Sequence, residues 1–142
     1  MNAPDLFTSY WSNPALRKVD AVKVCISRGV PRWPLPFRYR RANLLAPSRE
    51  TFALRSDEAF EREYLRGLDE AGAEKIAAIL ARIGNEEGGG PLVLLCWEKP
   101  GQVCHRRMFA DWWTERNGQE VPELQRGCDQ SRKRQEAQDM LF

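Results

Sequence analysis

The chain has 142 residues, of which 42% are hydrophobic and 30% charged, with a formal net charge of +2. These values fit one globular domain with a modest core and exclude a disordered or fibrous chain, and a charge of +2 does not by itself argue for nucleic acid. No apolar run approaches the roughly 20 residues that span a bilayer, and residues 1–7 lack the basic patch and apolar stretch of a secretory signal. A cytoplasmic location is therefore expected, with the four cysteines held as thiols rather than as a disulfide framework.

In chain order, residues 6–10 read as a short strand rich in aromatic and hydroxyl side chains, turned at Asn13-Pro14. Residues 19–26 are β-branched, with Val22, Val24 and Ile26 alternating on one face, and predict a second strand ending at Ser27-Arg28-Gly29. Pro31, Pro34, Pro36 and Pro47 deny regular hydrogen bonding to residues 29–47, which are expected as an extended loop. Ser56 is a plausible N-cap for a helix that buries Phe60, Tyr64 and Leu68. A second helical pattern carries Ile76, Ala77, Leu80 and Ile83, with Gly84-Asn85 expected to close it in a left-handed turn. Gly88-Gly89-Gly90 forms a joint into residues 92–96, a continuous apolar run suited to a strand covered on both faces. Pro100-Gly101 turns the chain into a helix over about 102–118, whose apolar face is Met108, Phe109, Trp112 and Trp113.

Strands separated by helices imply an α/β, three-layer, Rossmann-like domain with a mainly parallel sheet over residues 1–124. Residues 125–142 form a charged tail expected to be loosely ordered. Ligands of such sheets bind outside the carboxyl ends of the strands, where Thr8-Ser9-Tyr10, Ser27-Arg28 and Cys96-Trp97-Glu98 should converge.

The richest chemistry lies between Cys96 and Arg106. A strand delivers Cys96 and Glu98 to the sheet edge, and a turn returns Cys104, His105 and Arg106 at a helix start, whose backbone N–H groups favour an anion or a thiolate. Glu98 suits general acid–base work, and Arg106 can fork onto a phosphate or onto Glu98 itself. His105, the only histidine, is either a polarising or proton-transfer group or a packed side chain satisfied by backbone. Neighbouring helical residues point about 100° apart, so Cys104 and His105 do not pair with each other. Cys104 shares a face with Met108 and Trp112 and is either a reactive thiol or core. Cys25, Cys96, Cys104 and His105 make a conceivable zinc set, but no Cys-x-x-Cys occurs, so no metal and no cofactor is assigned.

The run LLCWEKPGQVCHRRMFADWW resembles the signature of a bacterial and phage family, domain of unknown function 488: Leu-Cys-aromatic-Glu, a Pro-Gly turn, and Cys-His-Arg opening a helix. Thr8-Ser9-Tyr10 with Asn13, Ile26-Ser27 followed by Pro31 and Trp33, Leu45-Ala46-Pro47 and the aromatic spacing around Tyr64 extend the resemblance over about residues 5–124. It implies a Rossmann-like fold and a polar pocket around Glu98, Cys104, His105 and Arg106, without implying a reaction. Cys25 departs from the hydrophobic residue common at its position.

Between residues 28 and 41 five arginines interleave with Trp33, Phe37 and Tyr39, with no acidic residue. Arginines contact phosphates while aromatic faces stack on bases, so the loop is expected over the strand-end pocket, gripping nucleotide or single-stranded nucleic acid. The alternative packs its aromatics inward and leaves its arginines solvated or ion-paired. Ser9, Tyr10, Ser27, Arg28, Trp33, Arg38 and Tyr39 are the expected ligand contacts. The closing residues 138–142 resemble the peptide that docks on the bacterial sliding clamp, with Gln138 at the rim and Leu141 and Phe142 in an apolar pocket, or else fold back on the domain.

These features lead to an expected enzyme acting on a nucleotide, modified base or nucleic acid, with cleavage of an N-glycosidic bond as the first reaction to test. Glu98 would be the acid–base group, His105 the polarising group and Arg106 the anion clamp. The alternatives are a non-catalytic nucleic-acid-associated module recruited by its tail, and a metal or thiol-redox protein using Cys25, Cys96 and Cys104.

Overall fold

The computed structural model describes residues 4–97 and 105–125. Among the described residues four strands, β1 (Leu6–Tyr10), β2 (Val22–Cys25), β3 (Arg40–Arg41) and β4 (Leu92–Cys96), form one sheet in the order β1-β4-β2-β3, and every neighbouring pair is parallel. β4 lies inside the sheet and is buried along its whole length. Its unbroken apolar sequence follows from being covered on both faces, as parallel strands are.

Alternation along the strands sorts the core into two layers. Leu6, Val24, Leu94 and Cys96 face one side, where they meet Tyr64, Leu68, Ile76, Leu80, Phe109 and Trp113 from the helices. These helices are α2 (Asp57–Ala71), α3 (Ala73–Glu86) and α4 (His105–Asn117). The Ser56 hydroxyl caps α2 by accepting from the Ala59 N–H, and the expected stripe of Phe60, Tyr64 and Leu68 packs on the core. The other face carries Phe7, Cys25, Val93 and Leu95 against Trp11, Leu16 and Leu124. No long helix among the described residues covers that side. It is closed by the 3-10 turn Pro14–Arg17 and by Val30, Leu35, Phe37 and Tyr39 of the proline-rich segment. That segment is thus the third layer, a crossover between parallel β2 and β3.

Three expectations are corrected in detail. The second strand is limited to Val22–Cys25, since Val19 lies before it and offers its carbonyl to Lys23. Residues 29–47 are not loop throughout: Arg40–Arg41, in the proline-free stretch before Pro47, pairs with Val24 and Cys25, and a 3-10 turn, Asn43–Leu45, and then α1 (Arg49–Phe52) follow. Gly84 and Asn85 do not close α3. The helix runs through them to Glu86, Gly84 sits against Leu92 and Pro4, and the left-handed exit falls on Gly88, Gly89 and Gly90 at φ of +92°, +90° and +96°. No helix among the described residues is long and apolar enough to cross a membrane.

Candidate functional site at the carboxyl edge of the sheet

The segments leaving the strands do converge. The Trp11 N–H donates to the Cys96 carbonyl and the Ile26 N–H to the Leu95 carbonyl, at 3.1 and 3.0 Å, which carries the ladder one residue beyond each strand. Ser27 Oγ accepts from the Trp11 indole at 3.1 Å and donates to the Gly29 carbonyl at 2.6 Å. Gly29 O also accepts the Trp97 indole N–H at 3.2 Å. His105 opens α4 with Nε2 2.6 Å from the Ile26 carbonyl and its ring edge-on to Tyr64 at 5.4 Å. The Tyr64 hydroxyl donates to the Leu45 carbonyl at 2.6 Å, and burial pushes this phenol above its ordinary pKa.

Convergence does not make every member reachable. Ser9, Tyr10 and Ser27 are all buried. Ser9 accepts from the Asn13 amide and Ser27 is engaged as above, so these three expected ligand contacts form the frame of the edge. The open hollow expected around His105 and Arg106 is likewise corrected: they are 6% and 1% exposed and bond to different elements. His105 ties α4 to the end of β2, whereas Arg106 turns toward β1. Its guanidinium lies 5.9 Å from the Tyr10 ring. Nε and Nη2 reach the Glu123 carboxylate at 3.0–3.2 Å, and Nη1 lies 3.0 Å from Cys96 Sγ. The fork expected to take a phosphate is filled by Glu123, a residue with no local signal in the sequence. Glu123 also accepts from the Thr8 hydroxyl at 2.6 Å, and Thr8 in turn accepts from Arg107 at 2.8 Å. Thr8 bridges to Glu123 through the backbone, which covers the outer edge of β1.

The cysteines are corrected as well. Cys96 is disulfide-bonded, so the expectation of thiols throughout fails there. Cys25 is a free, buried thiol on the opposite face of the sheet from Cys96. The two therefore cannot ligate one zinc ion or pair with each other. No group of three or more metal-binding side chains occurs among the described residues.

What remains open is a cleft of about 500 Å³ beside these groups, lined by Arg28, Asn43, Ser48, Thr51, Tyr64 and Arg66. The Ser48 hydroxyl caps α1 by accepting from the Thr51 N–H at 3.1 Å. Arg28 reaches from its wall to the Pro47 carbonyl at 3.3 Å and lies 6.0 Å from the ring of Phe52, which is 62% exposed. One residue on, Gly29 anchors Trp97, whose indole meets that of Trp33 edge-to-face at 5.6 Å. Both indoles are nearly half exposed. Asn43, Ser48 and Phe52 were not singled out in the sequence. The Ser48 capping position three residues before Thr51 was the signal available for one of them.

The basic segment is split by its crossover. Arg28 and Trp33 stay at the carboxyl edge, Arg38 is carried to the other end of β2, and neither Arg38 nor Tyr39 lines the carboxyl-edge cleft. Tyr39 packs edge-on against Trp11 at 5.4 Å, and Arg38 pairs with Glu87 at 3.2 Å. Glu98, Cys104, Gln138, Leu141 and Phe142 lie outside the described residues. No curated protein and no solved structure matches the chain. The family model described as Domain of unknown function DUF488 matches residues 18–113, a span that takes in β2, the crossover, β4, Trp97 and most of α4, and the chain belongs to that family.

Proposed function

We propose that this protein is an enzyme acting on a nucleotide, modified base or nucleic acid, which it holds at the carboxyl edge of its sheet. The observation that carries this reading is the exposed Trp33–Trp97 pair joined through Gly29 to the Arg28–Phe52 pair at the mouth of the cleft. Exposed aromatic faces beside a guanidinium suit stacking on bases with a contact to phosphate. Their place outside the carboxyl ends of parallel strands is where α/β sheets bind ligands.

Glu98, which follows Trp97 in the chain, is the acid–base group in this reading. In N-glycosidic cleavage that group protonates the departing base or activates the attacking water. His105, fixed by Ile26 and backed by Tyr64, serves to hold the start of α4 at the sheet edge. Arg106 acts in this reading as a positioning group, because its fork holds Glu123.

The test is a panel of nucleosides, nucleotides and short oligonucleotides, followed by tryptophan fluorescence for binding and by chromatography for released base. Trp33→Ala should weaken binding about tenfold, within the range of one lost stacking contact. Glu98→Gln should abolish turnover and leave affinity unchanged. Absence of quenching across the panel sinks the ligand class, while binding without turnover sinks the reaction alone.

A further inference from the structure

A second cleft, of about 280 Å³, lies at the opposite edge, where β2 and β4 begin, and Asp20, Lys23, Phe37, Arg38, Arg40 and Glu87 line it. Lys23 is its unusual member, a charge in the middle of β2 that is only 9% exposed. Its ammonium donates to the Val19 carbonyl at 2.8 Å and lies 5.5 Å from the Phe37 ring. An ammonium carries three N–H donors, so two of them have no acceptor among the described residues. Burial lowers the pKa of this amine against the raising effect of Asp20, as expected of a cation that is short of partners.

Two arginines stand at the mouth. The Arg38 side chain is 81% exposed and pairs with Glu87 at 3.2 Å, while Arg40 spans Glu86 and Glu87 at 2.7 and 3.3 Å. Ion pairs with an exposed partner contribute little, and of the two arginines it is Arg38 whose side chain lies open to solvent. Three cations face two acids in the lining. Gly89 and Gly90 supply a stretch of wall without side chains.

We propose that this cleft is a phosphate-binding site, in which Lys23 donates its two remaining N–H groups to phosphate oxygens and Arg38 turns from Glu87 to close over the anion. A phosphate offers several acceptor oxygens in a tetrahedral array, which suits an ammonium at the base and a planar fork at the rim. The length of β2 separates this cleft from the Trp33–Trp97 rim, so the inference is independent of the function proposed above.

The experiment is calorimetric titration of inorganic phosphate into the full chain at low ionic strength, where charge contacts are least screened. Saturable one-site binding is expected, weakened about tenfold or more by Lys23→Gln, the loss of a charge-assisted hydrogen bond. Arg38→Gln should weaken it several-fold, and Arg66→Gln at the other edge should not change it. Because the Arg38 side chain is exposed, that variant keeps the test decisive even where Lys23→Gln fails to fold. Competition between phosphate and a short oligonucleotide would mark a polynucleotide backbone as the source of the anion, and binding without competition a free phosphorylated molecule. Absence of saturable binding, or binding that Arg38→Gln leaves unchanged, overturns the proposal.

Discussion

His105 Nε2 stands 2.6 Å from the main-chain oxygen of Ile26, joining the first residue of α4 to the end of β2 across 79 positions of sequence. A carbonyl only accepts, so Nε2 carries the hydrogen, and the tautomer is set by the backbone. Truncation to alanine would leave a buried carbonyl unpaired and remove an aromatic partner of Tyr64. His105→Ala should therefore lower stability by about 2–3 kcal/mol, measured by urea unfolding. His105→Asn, which can still donate, should recover part of that loss. If both variants unfold like the parent, the contact is not holding α4 to the sheet.

Arg106 and Glu123 form the most buried ion pair among the described residues, with side-chain exposures of 1% and 18%. Removing one partner of such a pair leaves the other charge desolvated, at about 3–5 kcal/mol for a fully buried pair and less where one side reaches water. Glu123→Gln should cost about 2–3 kcal/mol, and Arg106→Lys should fail to rescue because an ammonium cannot reproduce the fork on the carboxylate. A double-mutant cycle with Arg106→Met reads the coupling directly. Additive losses would show that the pair does not act as a unit.

The contrast between these two residues shows what sequence can and cannot carry. Phe60, Tyr64 and Leu68 are legible because spacing alone assigns them to one helical face. The unbroken run of β4 likewise reveals a strand covered on both sides. Glu123 is not legible as the partner of Arg106, because nothing local in a Pro-Glu-Leu stretch says that it will line the edge of β1. The basic loop fails for a related reason. Its composition predicts arginines beside aromatics, yet a crossover over one face of the sheet sends Trp33 and Arg38 to opposite ends of β2, and composition has no direction. Lys23 does carry a signal, a lone charge inside an alternating strand. In Ser9 and Ser27 the side-chain types were right for ligand contact, but neighbouring donors and acceptors had already satisfied them.

Gly88, Gly89 and Gly90 share φ values near +90°, so the passage from α3 into β4 is a defined backbone path that side chains disfavour. No atoms crowd the Cβ direction at Gly89, which leaves conformation as the whole of the penalty. Gly89→Ala should lower stability by about 1–2 kcal/mol, read by thermal unfolding. Gly67→Ala is the control: it also has open space around it, lies in α2 at ordinary helical geometry, and should be neutral or slightly stabilising. Equal effects at the two positions would mean that backbone strain is not what Gly89 relieves.

Tyr64 makes alkaline stability testable. Its hydroxyl is buried and donates to Leu45, and desolvation holds its pKa well above the ordinary value of 10.0. The unfolded chain ionises this phenol near 10 while the folded chain keeps it protonated, so folding retains a proton that unfolding releases. The stabilisation is complete below pH 10 and declines as pH rises above that value toward the folded pKa. Absorbance titration of the phenolate should show Tyr64 ionising only together with unfolding. Tyr64→Phe should remove this component of the alkaline decline and, by leaving the Leu45 carbonyl unpaired, cost about 1–2 kcal/mol at neutral pH. If the variant loses stability at pH 7 but keeps the same alkaline slope, Tyr64 does not govern that limb. Lys23 cannot take its place, because lowering the pKa of a buried lysine makes stability rise with pH between its folded value and 10.5, opposite in sign to the phenol.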